Sequence, residues 1–506
     1  MSPLSFFAHR VTREPEPFLR TIAQTVFLFL LFAAFTARST ELRPNILLIL
    51  ADDLGWADTG CYGNKWFETP NLDGLAAEGI RFEQAYSAAP ICSASRAALL
   101  TGKTTAELGF EFVTKPEAGF QALSAPLRAP PFTLDLALTE TTIAENLAKV
   151  GYSTAFFGKW HLNQHYKRYL GWSPTHGPQA QGFQVAEEDF GNHPYSYWKQ
   201  QEKRTFLEGV DEGEFLEDTL TQRSIRFLER DHENPFFLMV SHFYVHDPNH
   251  TQLEWLYNYY WEKIPGNHPR REALAHYGSM VTTLDHHVGE LLTALEETGH
   301  ANETLVVFTS DNGGHPNYAG NAPLRGSKWN LYEGGIRVPM IARWRGVIPE
   351  GATSNTPVWS LDLFPTFTEV AGAHLSPGLP GTNMRPVFES PEADFPDSGE
   401  PRKMVWHFPY YHPEKGYSDA PAEIGVDDGF TSKTKPHSAI RVGKKKLLHF
   451  YEEDRQELYD LSANHLEAER AADGDSPSRV LFDFLEEHGA RMPTKNPDYS
   501  PDTESP

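Results

Sequence analysis

Two pairs of adjacent oxygen donors stand out in the sequence, Asp52-Asp53 and Asp311-Asn312. Each follows a short apolar run, NILLIL at residues 45–50 and TLVVFT at 304–309. Carboxylate and amide oxygens are the ligands that hard divalent cations take. A single pair of this kind is an ordinary solvated turn. Two pairs that each end a buried strand, the second followed by Gly313-Gly314, predict one metal site. A second kind of chemistry resides in Cys92-Ser-Ala-Ser-Arg96. Ser93 or Ser95 is expected to cap a helix, which puts Cys92 at a helix N-terminus where the dipole favours negative charge. Arg96, four residues on, shares that helical face. The arrangement suits a nucleophile beside a cation, and taken alone it equally suits a small buried cysteine. Lys159 and His161 stand two apart in Gly158-Lys-Trp-His and face one side of an extended chain. His242 and His246 are expected to share one strand face.

The elements that must position these residues alternate in type. Buried strands are predicted at 45–50, 153–157, 235–245 and 304–309, with a further one at 336–344. Residues 142–150 open with the capping box Thr142 and Glu145 and stop at Gly151, as a helix does. Another helix is expected at 360–370. Alternation of this kind implies an α/β fold: a large, mainly parallel sheet sandwiched by helices, with ligands beyond the carboxyl ends of the strands. From about residue 400 the pattern changes to short antiparallel strands at 437–442, 446–450 and 456–461. An amphipathic helix follows at 477–488, with Val480, Leu481, Phe484 and Leu485 on one side. The expected organisation is a catalytic domain at 42–390, a smaller α+β domain at 400–490 and a disordered tail at 491–506.

Composition limits what this chemistry can serve. The 506 residues carry 44 Lys+Arg against 68 Asp+Glu, a formal charge of −24, which argues against nucleic acid as a partner. Hydrophobic content of 40% and aromatic content of 13% describe a folded, globular chain. Near the N-terminus, Arg10, Arg13 and Arg20 precede VFLFLLFAAF at 26–35 and then small residues. That order describes a signal peptide over residues 1–37 and export to the periplasm or the extracellular space. The apolar run falls short of a full membrane span, and a single N-terminal anchor is the alternative. An exported chain with two cysteines can pair Cys61 with Cys92 or keep one for chemistry.

The motifs together resemble the type I sulfatases of the alkaline phosphatase superfamily. The resemblance rests on Asp52-Asp53-Leu-Gly, Cys92-x-Ala94-x-Arg96, Gly158-Lys159-Trp160-His161-Leu162, Asp311-Asn312-Gly-Gly and Leu324-Arg325-Gly-Ser-Lys328 before Tyr332-Glu333-Gly-Gly. It covers residues 42–470. By resemblance, Cys92 is oxidised to formylglycine by a maturase, and its hydrate is the nucleophile. Asp52, Asp53, Asp311 and Asn312, with the oxygen at position 92, are the implied ligands of Ca²⁺, with Mg²⁺ as the alternative. Arg96 is implied to steady the formylglycine, Lys159 to contact sulfate or hydrate, and His161 to act as base. His246, before Asp247-Pro248, and Lys328 are implied to meet the leaving oxygen, with His242 a packed neighbour. Ala94 stands where proline is commonest, which points to bacterial maturation by a radical-type enzyme. Ser196 is a candidate sulfate neighbour, and His193, Arg325, His407, His437 and Arg441 are candidates for an outer sugar subsite. The implied activity is hydrolysis of sulfate esters on a sulfated carbohydrate. A phosphonate monoester or phosphodiester hydrolase on the same scaffold is the nearest alternative, and a non-catalytic binding protein is the alternative of another class.

Overall fold

Ile46, Leu48 and Leu50 point to one side of their strand while Leu47, Ile49 and Ala51 point to the other, and all six are fully buried. A strand apolar on both faces needs helices above and below it. The computed structural model supplies them. It describes residues 43–500 except 122–123, 396–400, 413–433, 463–466, 468–469 and 471–475. The expected signal segment 1–37 and the end of the expected tail lie outside the described residues.

The main sheet contains β1 (Asn45–Ala51), β2 (Ile80–Phe82), β3 (Ser153–Gly158), β4 (Val185–Glu187), β5 (Phe236–Ser241), β6 (Thr304–Ser310), β7 (Met340–Arg343) and β8 (Ala352–Ser354). Its order is β8-β2-β7-β6-β1-β5-β3-β4. The central run β6-β1-β5-β3 is parallel throughout, and β7 is antiparallel to both of its neighbours. The sheet is thus mixed and mainly parallel, as expected. On one face lie α1 (Pro70–Ala77), α4 (Thr219–Leu228), α5 (Glu254–Lys263) and the long α6 (Arg271–Glu297), through Leu75, Phe227, Leu256 and Leu284. On the other lie α2 (Cys92–Thr101), α3 (Ile143–Ala148) and α7 (Leu363–Val370), through Leu99, Leu147 and Phe367. Each large apolar side chain withdrawn from water contributes about 1.5–3 kcal/mol.

Register sets the chemistry. Ala51 is opposite Ser310, Leu50 is opposite Ser241, and Ser241 is opposite Gly158. Four neighbouring strands therefore end at one level, and the residues that follow each of them meet along one edge. The strand expected to reach Val245 stops at Ser241, so His242 and His246 do not share a strand face. At β3 the exit is tight. Gly158 has φ +108°, and a Cβ there would lie 2.0 Å from the Ser241 carbonyl oxygen.

A second, antiparallel sheet runs β9 (Lys403–Phe408), β10 (His437–Val442), β11 (Lys445–Phe450) and β12 (Arg455–Asp460) in that order. Met404, Trp406 and Phe408 share a core with Tyr86, Trp329 and Trp359 of the first part, so the two parts are welded. The helix at Ser478–Glu487, α8, buries Leu481 and Leu485 against the other face, while Val480 is exposed. The segment expected to be disordered from 491 is docked as far as residue 496. Thr494–Lys495 pairs with Leu127–Arg128, and Asn496 N donates to the Pro126 carbonyl.

This sheet also corrects part of the expected sugar subsite. His407 is buried, with Nδ1 2.6 Å from Ser438 Oγ and Nε2 3.2 Å from the Arg491 carbonyl oxygen. His437 Nε2 accepts from Leu331 N at 2.9 Å, its Nδ1 meets the Lys435 carbonyl oxygen, and its ring stacks on Phe450. Arg441 donates to Tyr86 Oη, Gln84 Oε1 and the Gly443 carbonyl. All three spend their polar atoms on packing. His407→Ala should therefore lower the unfolding free energy by about 1–3 kcal/mol. In urea the midpoint should fall at an unchanged slope. An unchanged midpoint would mean that the ring is free for a ligand.

Candidate active site

Asp52 and Asp53 follow β1 directly. Asp53 adopts φ +62°, a left-handed turn that breaks the strand's alternation. Both neighbouring carboxylates thereby reach one place. Cys92 Sγ is 3.5 Å from Asp52 Oδ1 and 3.9 Å from Asp53 Oδ1, and the two carboxylates, Cys92 and His246 offer ligand atoms within 4.8 Å of one another. Asp311 and Asn312 come from the end of β6. Asp53 N donates to Asp311 Oδ1 at 3.2 Å, and Asn312 Nδ2 donates to Asp53 Oδ1 at 2.6 Å.

Three cations answer three carboxylates. Arg96 donates from Nε to Asp311 Oδ2 at 2.8 Å and from Nη1 to the Lys159 carbonyl at 2.8 Å. Its other partner is Ser241 Oγ. Lys159 Nζ pairs with Asp52 Oδ2. Lys328 Nζ donates to Asp53 Oδ2 at 2.6 Å and lies 3.2 Å from His246 Nε2. Every member of these pairs is buried. Burial alone would raise the Asp53 pKa, but Lys328, His246 and Lys159 hold it well below the usual carboxylate range. Burial, with Asp52 and Asp53 nearby, pushes Asp311 up to about 6 against the pull of Arg96. His161 is driven well below its ordinary value by burial and by Lys159, so it is neutral.

Cys92 is the first residue of α2, preceded by Ile91 as cap, and neither Ser93 nor Ser95 caps the helix. Ser93 Oγ instead accepts from Thr114 N. Burial pushes the Cys92 thiol well up, despite Lys159 and Lys328, so dipole and cations do not yield a thiolate. Cys61 and Cys92 are both free, so the disulfide is not formed.

The other expected residues divide. His193 Nε2 is 2.9 Å from the His246 carbonyl oxygen, and Ser196 Oγ donates to the His193 carbonyl at 2.9 Å. Both brace the segment around His246. Arg325 lies over the Tyr332 ring and donates to Tyr459 Oη and the Glu467 carbonyl, turned toward the second sheet. His242 is buried and influenced by Asp218 and His287. Ser241 and Tyr195 were not indicated by spacing. A polar Ser241 ending an otherwise apolar strand is a signal that could have found the first; a tyrosine in an irregular segment carries none.

The donor set fits a hard divalent cation. Asp52, Asp53, Asp311 and Asn312 offer oxygens only, and Asn312 Oδ1 is buried with no hydrogen-bond partner among the described residues. An orphaned buried carbonyl is costly unless something meets it.

Fold and cluster together define a protein of alkaline phosphatase-like architecture. The sulfatase family model matches residues 44–373, and the N-sulphoglucosamine sulphohydrolase C-terminal model matches 327–487. A sulfatase of Formosa agariphila is 29% identical over 516 residues, covering 90% of this chain and 89% of its own. Human arylsulfatase A is 32% identical, covering 76% and 74%. The crystal structure of Ps i-CgsB in complex with k-i-k-neocarrahexaose is 27% identical with a TM-score of 0.65, covering 90% and 94%. The chain belongs to the sulfatase family and is a sulfuric ester hydrolase.

Ligation makes a separate expectation. Ca²⁺ at about 100 times its dissociation constant should stabilise the wild type by about 2.7 kcal/mol. Asp311→Ala should fold, lose that calcium-dependent rise in thermal midpoint and lose nearly all turnover. A variant that keeps the rise would show that Asp311 holds no ion.

Proposed function

We propose that this chain is an exported sulfatase that removes sulfate from carbohydrate esters, with Cys92 matured to formylglycine. The observation that carries the reading is the buried set of three carboxylates matched by Arg96, Lys159 and Lys328 around Cys92. These six charges balance. A divalent ion on Asp52, Asp53, Asp311 and Asn312, Ca²⁺ or Mg²⁺, makes the site net positive and suited to an anionic ester. When bound, the ion neutralises charge on the sulfuryl oxygens and acidifies the attacking hydroxyl. Formylglycine supplies, as its hydrate, one hydroxyl to attack sulfur and a second whose deprotonation expels sulfate and restores the aldehyde.

The chain's own residues do the rest. Arg96 fixes Asp311 and the end of β3 in one grip, which holds the metal ligand and Lys159 in register. Neutral, buried His161 is the base for the second hydroxyl. Lys328 and His246 lie in contact and form the acid pair that meets the leaving oxygen. A sugar alkoxide is a poor leaving group and needs that proton. A carbohydrate substrate is supported by the likeness to Ps i-CgsB, solved with k-i-k-neocarrahexaose. Export rests on the sequence of residues 1–37, and maturation by a radical-type enzyme rests on Ala94.

Relative rates test the reaction class. Matured enzyme should hydrolyse 4-nitrophenyl sulfate with a higher kcat/KM than an aryl phosphodiester or phosphonate monoester. The reverse order would make it a phosphorus-ester hydrolase. The acid pair is tested by leaving group: His246→Ala and Lys328→Ala should lower turnover of a sugar sulfate about 10²–10⁴-fold. Nitrophenyl sulfate should suffer far less. Equal losses would mean that these residues bind sulfate and deliver no proton.

A further inference from the structure

His246 must keep one ring edge on Lys328, and its other edge is held by a residue that no motif marks. Tyr195 lies in the single turn Pro194–Ser196, between β4 and α4. Its hydroxyl is 2.7 Å from His246 Nδ1. The Asp247 carbonyl oxygen lies 2.6 Å from the same nitrogen. On the far edge, Nε2 is 3.2 Å from Lys328 Nζ and 3.6 Å from Asp53 Oδ2. A carbonyl can only accept and an ammonium can only donate. Neutral His246 therefore carries its hydrogen on Nδ1 and presents the Nε2 lone pair to Lys328.

Tyr195 is itself held from several sides. Its ring meets Phe243 and Tyr169 edge-on, with centroids 5.8 Å and 5.7 Å apart, and packs at 4.6 Å on His193. His193 Nε2 lies 2.9 Å from the His246 carbonyl oxygen. One short segment thus grips His246 twice, by its backbone through His193 and by its ring through Tyr195. The segment is tied down in turn: Asn192 N donates at 2.7 Å to Asp218, whose other oxygen caps α4 through Thr221 N. At Gly191, φ +55°, a Cβ would stand 1.9 Å from that aspartate.

We propose that Tyr195 is a positioning residue of the sulfatase reaction, holding the His246 ring through Nδ1 so that the Nε2 lone pair keeps the Lys328 ammonium aimed at the leaving oxygen, to which Lys328 gives the proton. The inference rests on the reading of His246 and Lys328 given above. Groups that hydrogen-bond the far nitrogen of a metal-bound imidazole typically matter by about 10–100-fold, and the same orienting geometry acts on His246. Tyr195→Phe removes the hydroxyl and keeps the ring that packs on Phe243 and His193.

The test is a double-mutant cycle on matured, metal-loaded enzyme, with wild type, Tyr195→Phe, His246→Ala and the double variant assayed on a sugar sulfate and on 4-nitrophenyl sulfate. Tyr195→Phe should lower kcat/KM for the sugar sulfate about 10–100-fold, by analogy with such orienting groups, and affect the nitrophenyl ester much less. Without His246, the same substitution should change neither rate. An equal loss in both backgrounds, or no loss in wild type, would overturn the proposal. A second readout is independent of turnover: the ¹⁵N shifts of His246 should report hydrogen on Nδ1 and change in Tyr195→Phe, and unchanged shifts would also overturn it. If wild type cleaved only phosphorus esters, the sulfatase reading would fail, and the same cycle on that ester would still decide the role of Tyr195.

Discussion

Asp52, Asp53 and Asp311 are buried side by side at one edge of a sheet, and three carboxylates so placed repel one another strongly. An uncompensated buried charge costs several kcal/mol, and breaking one buried pair costs about 3–5 kcal/mol. The geometry of the whole edge follows from meeting that constraint. Arg96 answers Asp311, Lys159 answers Asp52 and Lys328 answers Asp53, each from a different element. The helix that begins at Cys92 must approach closely for Arg96 to reach, which brings position 92 to the carboxylates. The exit of β3 must turn sharply at Gly158 for Lys159 to reach, and the loop after β6 must fold back for Lys328. Charge compensation and catalytic arrangement are one set of contacts.

The compensation explains why the site tolerates so much buried polarity. Arg96 is pinned to Asp311, to the Lys159 carbonyl and to Ser241, so moving any one of them strains the others. Such networks are worth more than their separate pairs, and they fail together. They also leave Asn312 Oδ1 buried without a hydrogen-bond partner among the described residues.

Much of this was legible in the sequence because strand-end chemistry has a local signature. NILLIL before Asp52 and TLVVFT before Asp311 fix both the strand and the point where it ends. The parallel order of β6, β1, β5 and β3 follows from alternating elements, and it gathers residues 52, 159 and 311 on one edge. Where the structure differs from the sequence reading, the cause is contacts distant in sequence. His407, His437 and Arg441 read as a polar rim, yet each is consumed by a partner outside its own strand: Arg491, Leu331 and Tyr86. The helix cap failed because Ser93 finds Thr114, not the helix's own amides. Tyr195 had no signal, since only the fold brings it to His246.

In the proposed reaction, position 92 acts as formylglycine and not as a thiol. Burial pushes the Cys92 thiol well above its ordinary value. The most direct measurement pairs the mass of the Cys92 peptide with sulfate release on the same enzyme sample. Conversion of CH₂SH to CHO removes about 18 Da, and it creates the aldehyde whose hydrate the chemistry needs. Across preparations matured to different extents, turnover should rise in proportion to the fraction carrying that mass loss. Full turnover from enzyme whose Cys92 peptide retains the mass of unmodified cysteine would contradict it.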